Sequence, residues 1–219
     1  MSKIVVAEIE GPSTTSNKIT IASGSQLDLV GSTGTTTIDA ADITAGSLPS
    51  SRLPAGTVLQ VVQTVLNTPS SQSVLAATIT PVTDLNVSIT PLSTSSKFLV
   101  SMIWTGESSS SSNYNQTWRL KRTVSAVDTY PGLDPSPGSR NVGLGITTQG
   151  FWSSDASSTP DGASFMYLDS PSASTEITYT VCLVDYYAIT LYNQRSAGDA
   201  NSFGDERTIS QITVMEISG

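Results

Sequence analysis

Apolar side chains in this chain recur at every second residue, and no run of ten residues carries the three-and-four spacing of an amphipathic helix. The alternating runs are short, and each is closed by Gly, Pro, Ser or Asn. Lys18-Ile19-Thr20-Ile21 stops at Ser23-Gly24, and Gln26-Leu27-Asp28-Leu29-Val30 stops at Gly31-Ser32-Thr33-Gly34. Period-two runs punctuated in this way predict strands joined by tight turns. Composition points the same way. Only 13% of residues are charged, about half the usual share, and Ser, Thr and Gly fill the gap. Thr is β-branched and favours strands, while Ser and Gly suit turns.

The pattern divides the chain at a Pro/Gly-rich stretch, Ala45-Gly46-Ser47-Leu48-Pro49 through Leu53-Pro54-Ala55-Gly56. Residues 1–55 contain no aromatic side chain, and their strands are too short to bury a core in one copy. They either form a thin shaft by wrapping with identical chains or remain an unfolded tail. Residues 56–219 read as about nine antiparallel strands, an arrangement expected to be a β-sandwich or jelly roll. The strands are expected at Val58–Val65 (with a continuous apolar core), Val74–Ile79, Leu85–Ile89, Lys97–Trp104, Thr117–Arg122, Ser164–Asp169, Glu176–Tyr187, Ala188–Tyr192 and Thr208–Ile217. Trp104 and Trp118 fall in strands and are expected in the core. Two long loops interrupt the domain, Asp128–Gly150 and Phe151–Gly162.

Several function classes are disfavoured by what the sequence holds. Net charge is −8, and the ten basic residues are scattered, so neither a phosphate backbone nor an anionic membrane surface has a basic face to meet. No apolar stretch approaches the roughly 20 residues of a membrane span. The start, Met1-Ser2-Lys3-Ile4-Val5-Val6-Ala7-Glu8, has one positive charge and too short an apolar run for a secretory leader. Cys182 is the lone cysteine and sits in an apolar run, where a thiol is expected to pack as a small hydrophobe.

The chain has no histidine, which removes the commonest general base and the commonest zinc ligand. An enzyme, a cofactor and a metal are therefore not expected. A glycan hydrolase would need two carboxylates about 5 to 10 Å apart, one with a raised pKa. Asp155 with Asp161, and Asp199 with Asp205 or Glu206, are the candidate pairs, though all lie in Ser/Gly-rich stretches where solvated carboxylates are the default. Asp199-Ala200-Asn201 with Asp205-Glu206 has calcium-binding residue types without EF-hand spacing. Gly143-Leu144-Gly145 has no helix after it and is read as a loop or strand feature. Binding is better supplied with candidates. Tyr130, Phe151, Trp152, Tyr192, Asn193 and Arg195 adjoin loops or strand ends, and with Asp155 and Asp161 they form the expected receptor-binding set. Exposed rings stack on apolar sugar faces while Asp and Asn meet hydroxyls. The alternative is that the rings cap the domain's own core or an interface between copies.

Several segments carry a resemblance. Gly56-Thr57-Val58-Leu59-Gln60-Val61-Val62, Val87-Ser88-Ile89-Thr90-Pro91-Leu92-Ser93-Thr94-Ser95-Ser96-Lys97-Phe98-Leu99-Val100, Leu168-Asp169-Ser170-Pro171-Ser172, Thr178-Tyr179 and Ser210 through Ile217 resemble tail-fibre and other virion proteins of marine bacteriophages, including those that infect cyanobacteria. Ile19-Thr20-Ile21-Ala22-Ser23-Gly24 and Ile43-Thr44-Ala45-Gly46-Ser47-Leu48-Pro49 are similar to phage fibre shafts. The resemblance implies a homotrimer located in the virion, with a β-rich head on a thin shaft. It also implies attachment to other virion proteins through the N-terminal segment, and contact of the head with a host surface glycan or protein. A capsid decoration or cement protein would share the same pieces.

Overall fold

The computed structural model describes residues 53–109, 115–148 and 158–219. The expected shaft strands between residues 18 and 38, most of the linker, and Phe151, Trp152 and Asp155 lie outside the described residues. The chain divides into two units, Met1–Ser47 and Leu48–Gly219.

Among the described residues there is no α-helix, and the strands are all antiparallel. Eleven strands form two sheets: β1 (Val58–Leu66), β2 (Ser70–Val74), β3 (Thr80–Ile89), β4 (Lys97–Ser108), β5 (Thr117–Val124), β6 (Val127–Thr129), β7 (Gly145–Ile146), β8 (Asp161–Asp169), β9 (Ile177–Val184), β10 (Ile189–Asn193) and β11 (Ser210–Ile217). The first sheet runs β1-β11-β4-β10-β2, with β8 on the other side of β4; the second runs β3-β9-β5-β6, with β7 also on β5. β4 can serve three neighbours because it is long: β11 pairs with its first half, β10 with its last residues, and β8 with most of its opposite edge.

Alternation places one side chain in two inside. Phe98, Val100, Met102 and Trp104 of β4 meet Trp118 and Leu120 of β5 and Ile177, Tyr179, Val181 and Leu183 of β9 in one buried cluster. Trp104 and Trp118 are in the core as expected, with ring centroids 4.8 Å apart. Each indole N–H is satisfied, Trp104 Nε1 donating to Asn193 Oδ1 at 2.8 Å and Trp118 Nε1 to Thr147 Oγ1 at 2.9 Å. Cys182 is buried, and burial pushes its thiol up to about 11, so it packs rather than reacts. The Gly143-Leu144-Gly145 run pairs with β5 of the second sheet and lies close against β8 of the first. A Cβ at Gly143 would lie 2.6 Å from the Trp118 carbonyl oxygen, and one at Gly145 would lie 2.8 Å from that of Ser164. No side chain fits at either point.

Four expectations need correction. Val74–Ile79 is not a strand: β2 ends at Val74, and the chain turns through Ala77 at φ 51° before β3. The strand there is the polar Ser70–Val74, made by pairing with β10 rather than by apolar alternation. The strand expected to reach Tyr187 stops at Val184, because Asp185 Oδ1 accepts the Tyr187 backbone N–H at 2.8 Å and turns the chain. β1 is not continuously buried; it is an edge strand with Val58, Val61 and Val65 facing out. Asp161, expected as a solvated loop carboxylate, opens β8 opposite Gly106 and is buried.

Candidate functional site

The turn after β10 carries an organised polar cluster beside a cleft. Asn193 and Gln194 nail this turn to the core. Asn193 accepts the Trp104 indole proton and donates to Ser70 Oγ at 3.3 Å. The Gln194 backbone N–H donates to Thr105 O at 3.0 Å, and its Nε2 to Ser210 Oγ at 2.8 Å. Both side chains are buried, so Tyr192 and Arg195, which flank them, are left on the outside. Gln194 (φ 60°) and Asp199 (φ 47°) sit in the left-handed region that non-glycine residues seldom adopt. Strain of that kind persists only where surrounding contacts overdetermine it.

Those contacts are visible. The Arg195 guanidinium lies 4.7 Å from the Tyr192 ring centroid and reaches Asp199 Oδ2 at 2.8 Å. From the other side Arg207 forks onto the same carboxylate, Nε to Oδ1 at 2.8 Å and Nη2 to Oδ2 at 3.1 Å. Arg195 and Arg207 also pair through an isolated antiparallel bridge. Pro69, Ser70, Ser71, Arg195, Asp199 and Arg207 line a cleft of about 300 Å³, the volume of a small sugar-sized site. Behind it, Glu107 is buried at the end of β4. It accepts the backbone N–H groups of Thr159 at 3.1 Å and Ala197 at 2.8 Å, fastening the lead into β8 to the Arg195 turn.

The electrostatics suit binding rather than proton transfer. The hydrogen bonds from Arg207 and then Arg195 hold the Asp199 carboxyl at about 2, well below the usual carboxylate range. Asp205 is lowered too, first by the Ser202 hydroxyl. A glycosidase acid needs the opposite shift, so the Asp199–Asp205 pair lacks the required member. Among the described residues there is no group of three or more His, Cys, Asp or Glu able to hold a metal ion. What the cleft offers is serine hydroxyls, guanidinium N–H groups and the Asp199 carboxylate.

Of the residues named from sequence, Tyr192 and Arg195 are therefore brought together at the surface, with Asn193 behind them as a buried positioning residue. Asp161 is buried in β8, and Tyr130 is half-buried at the end of β6 on the other sheet. Burial raises the Tyr130 hydroxyl pKa, with a further push from Cys182. Phe151, Trp152 and Asp155 lie outside the described residues. Sequence reasoning missed Arg207, Glu107, Ser70 and Ser71; the spacing of Arg195 and Asp199 was the available hint. Neither protein-family models nor curated protein sequences match this chain.

Proposed function

We propose that the protein is a bacteriophage virion structural protein: a homotrimeric tail fibre whose jelly-roll-like head, residues 56–219, binds the host cell surface. Residues 1–55 form the threefold β shaft and attach it to other virion proteins. The observation that carries the reading is the outer face of the first sheet. Val61, Met215, Leu99 and Leu168 stand side by side across β1, β11, β4 and β8. The next two rows are Gln63-Thr213-Ser101-Met166 and Val65-Gln211-Ile103-Ser164. Three rows on four strands hold no charge, in a chain whose net charge is −8.

Three such rows cover roughly 400 Å², from strand and pleat spacings of about 4.8 and 6.8 Å. Seven of the twelve positions are apolar (Val61, Met215, Leu99, Leu168, Met166, Val65 and Ile103), and apolar side chains gathered on one exposed face often mark a contact surface. Copies of a strongly acidic chain repel one another everywhere except across an uncharged face, which favours a second copy as the occupant. A standard interface buries about 800 Å² on each partner, so the head face supplies part of the contact and the shaft the rest. Three copies would then present the Arg195 cleft three times, raising a weak affinity through effective concentration.

Native mass of the full-length protein, copies per particle and binding to host cells test this. A mass three times 22.9 kDa, few copies per virion and adhesion of the isolated trimer are expected. A folded monomer overturns the fibre reading. High copy number with binding to empty capsids replaces it with a decoration or cement protein. Turnover of host polysaccharide that is lost in Asp155→Asn or Asp161→Asn replaces it with a hydrolase.

A further inference from the structure

The second sheet holds a different kind of cavity. Its volume is about 440 Å³, and Ala77, Asn115, Arg119, Arg140, Asn141 and Tyr186 are among the residues that line it. Among the described residues, Lys121, Arg122, Arg195 and Arg207 each have a carboxylate partner. Arg119 and Arg140 do not, although the chain is strongly acidic. Arg119 spends Nε on Val142 O at 2.8 Å and Nη2 on Asn141 Oδ1 at 3.3 Å, and Arg140 spends one nitrogen on Pro137 O at 3.1 Å. All three acceptors are neutral, and further N–H groups remain on both guanidiniums.

The cavity is built rather than incidental. Asn141 is fixed by Thr117 Oγ1 donating to its Oδ1 at 2.7 Å and by its own Nδ2 donating to Asn115 O at 3.0 Å, so Arg119 is pinned against a rigid neighbour. Asp185 also borders the cavity and carries the opposing charge. It is completely buried, and its two oxygens accept from Gln116 Nε2 and the Tyr187 backbone N–H, both at 2.8 Å. Two guanidinium charges thus face one inward-turned carboxylate, which leaves the opening cationic. Tyr186, 63% exposed, stands on the rim, its ring held edge-to-face against Tyr187 with centroids 4.8 Å apart.

We propose that this cavity binds an acidic saccharide, the Arg119 and Arg140 guanidiniums taking the sugar carboxylate and the Tyr186 ring covering an apolar sugar face. Planar guanidiniums match a carboxylate's two oxygens, and an exposed tyrosine ring supplies the stacking surface. A neutral sugar would leave both cations without a partner, which is how the cavity discriminates. The inference deepens the host-surface reading by naming the ligand class, yet it uses no residue of the proposed trimer face or of the Arg195 cleft.

Calorimetric titration of the full-length protein with trigalacturonate, maltotriose and inorganic phosphate tests it. Trigalacturonate should bind, more weakly as salt is raised, and maltotriose should not. Arg140 is held by one hydrogen bond to the loop, so Arg140→Gln should weaken trigalacturonate binding about tenfold, while Lys97→Gln on β4 should leave it unchanged. Arg119→Gln should act like Arg140→Gln, with circular dichroism checking that the loop survives. Equal binding of maltotriose, or unaltered binding in Arg140→Gln, overturns the proposal, and so does binding of phosphate alone. Sedimentation in the same buffer separates the two readings. A monomer that binds trigalacturonate through Arg140 keeps this inference and removes the trimeric fibre; a trimer indifferent to the acidic sugar does the reverse.

Discussion

The two sheets share a core and differ in their outer faces. On the first sheet the row Val61-Met215-Leu99-Leu168 is wholly apolar. On the second sheet the equivalent row is Ser88-Thr178-Thr123-Asp128. There Ser88 and Thr178 share a hydrogen bond at 2.8 Å, and Thr123 Oγ1 donates to Asp128 at 2.6 Å. Neighbouring positions carry Arg119 and Lys121. The inward residues of both sheets are interchangeable in kind, so the fold is set by what the sheets have in common. What the molecule does is set by where they part: one face suits a protein surface, and the other suits water and charged ligands.

The largest expected effect comes from making the first face resemble the second. Leu99 lies near the middle of the apolar row, and in the proposed trimer Leu99→Glu would place a carboxylate in every copy where copies meet. Like charges juxtaposed at an interface cost several kcal/mol, enough to dissociate a trimer at micromolar concentration. Sedimentation should show the mass fall from three chains to one, with the β-sheet circular dichroism spectrum kept. Thr180→Glu, on the outer face of β9, should leave the mass as it was. If both variants behave alike, the distinction between the faces carries no functional weight.

The next effect lies where the sheets meet. Arg122 of the second sheet reaches Asp169 of the first at 2.7 and 2.9 Å, and the buried Tyr179 hydroxyl donates to the same carboxylate at 2.8 Å. Burial, with Asp169 behind it, drives the Tyr179 hydroxyl far above its ordinary value, so it stays a neutral donor. Asp169→Ala leaves a guanidinium and a phenol without their acceptor, a loss worth about 3–5 kcal/mol for a buried pair. Arg122 keeps 20% side-chain exposure, which places the value at the lower end. Urea unfolding should show the midpoint fall with an unchanged slope; a smaller slope would mean that the sheets separate independently.

Much of this was legible in the sequence, for a physical reason. Strands that bury one face write their alternation into the chain, and β4, β5, β8, β9 and β11 were readable, as were Trp104, Trp118 and Cys182 as core. β2 was not, because Ser70-Ser71-Gln72-Ser73 gains its strand conformation from the register with β10, which is remote in sequence. The edge position of β1 was hidden for a similar reason: its valines look the same whether they face a core or a partner. Within the site, Tyr192 and Arg195 could be named because aromatic and charged residues at a strand end stand out. Arg207 could not, since only the bridge between Arg195 and Arg207 brings it to Asp199. Asp161 and Asn193 occupy inward positions with polar side chains, and periodicity read from hydrophobicity passes over such residues.

A cluster of charge gathers at the β2–β10 edge of the first sheet, where Asp199 sits between two arginines. The smallest expected effect tests whether that cluster is organised. Its carboxyl has an ordinary value of 3.8 and is held at about 2 in the folded chain. A carboxyl with a depressed folded value gives up its proton more readily folded than unfolded, so its contribution is complete above about pH 4. It is lost as pH falls toward 2. Carbon-detected NMR of the aspartate carboxyls should find one titrating near 2, and Arg207→Gln should move it back toward 3.8, since the Arg207 hydrogen bonds are the larger cause. Asp199→Asn should lower the urea midpoint slightly at pH 6, with the gap to the unaltered protein closing by pH 2. An Asp199 that titrates at its ordinary value would mean that the two guanidiniums are not held on it in solution. The first sheet would then offer an uncharged face and no preorganised cleft beside it.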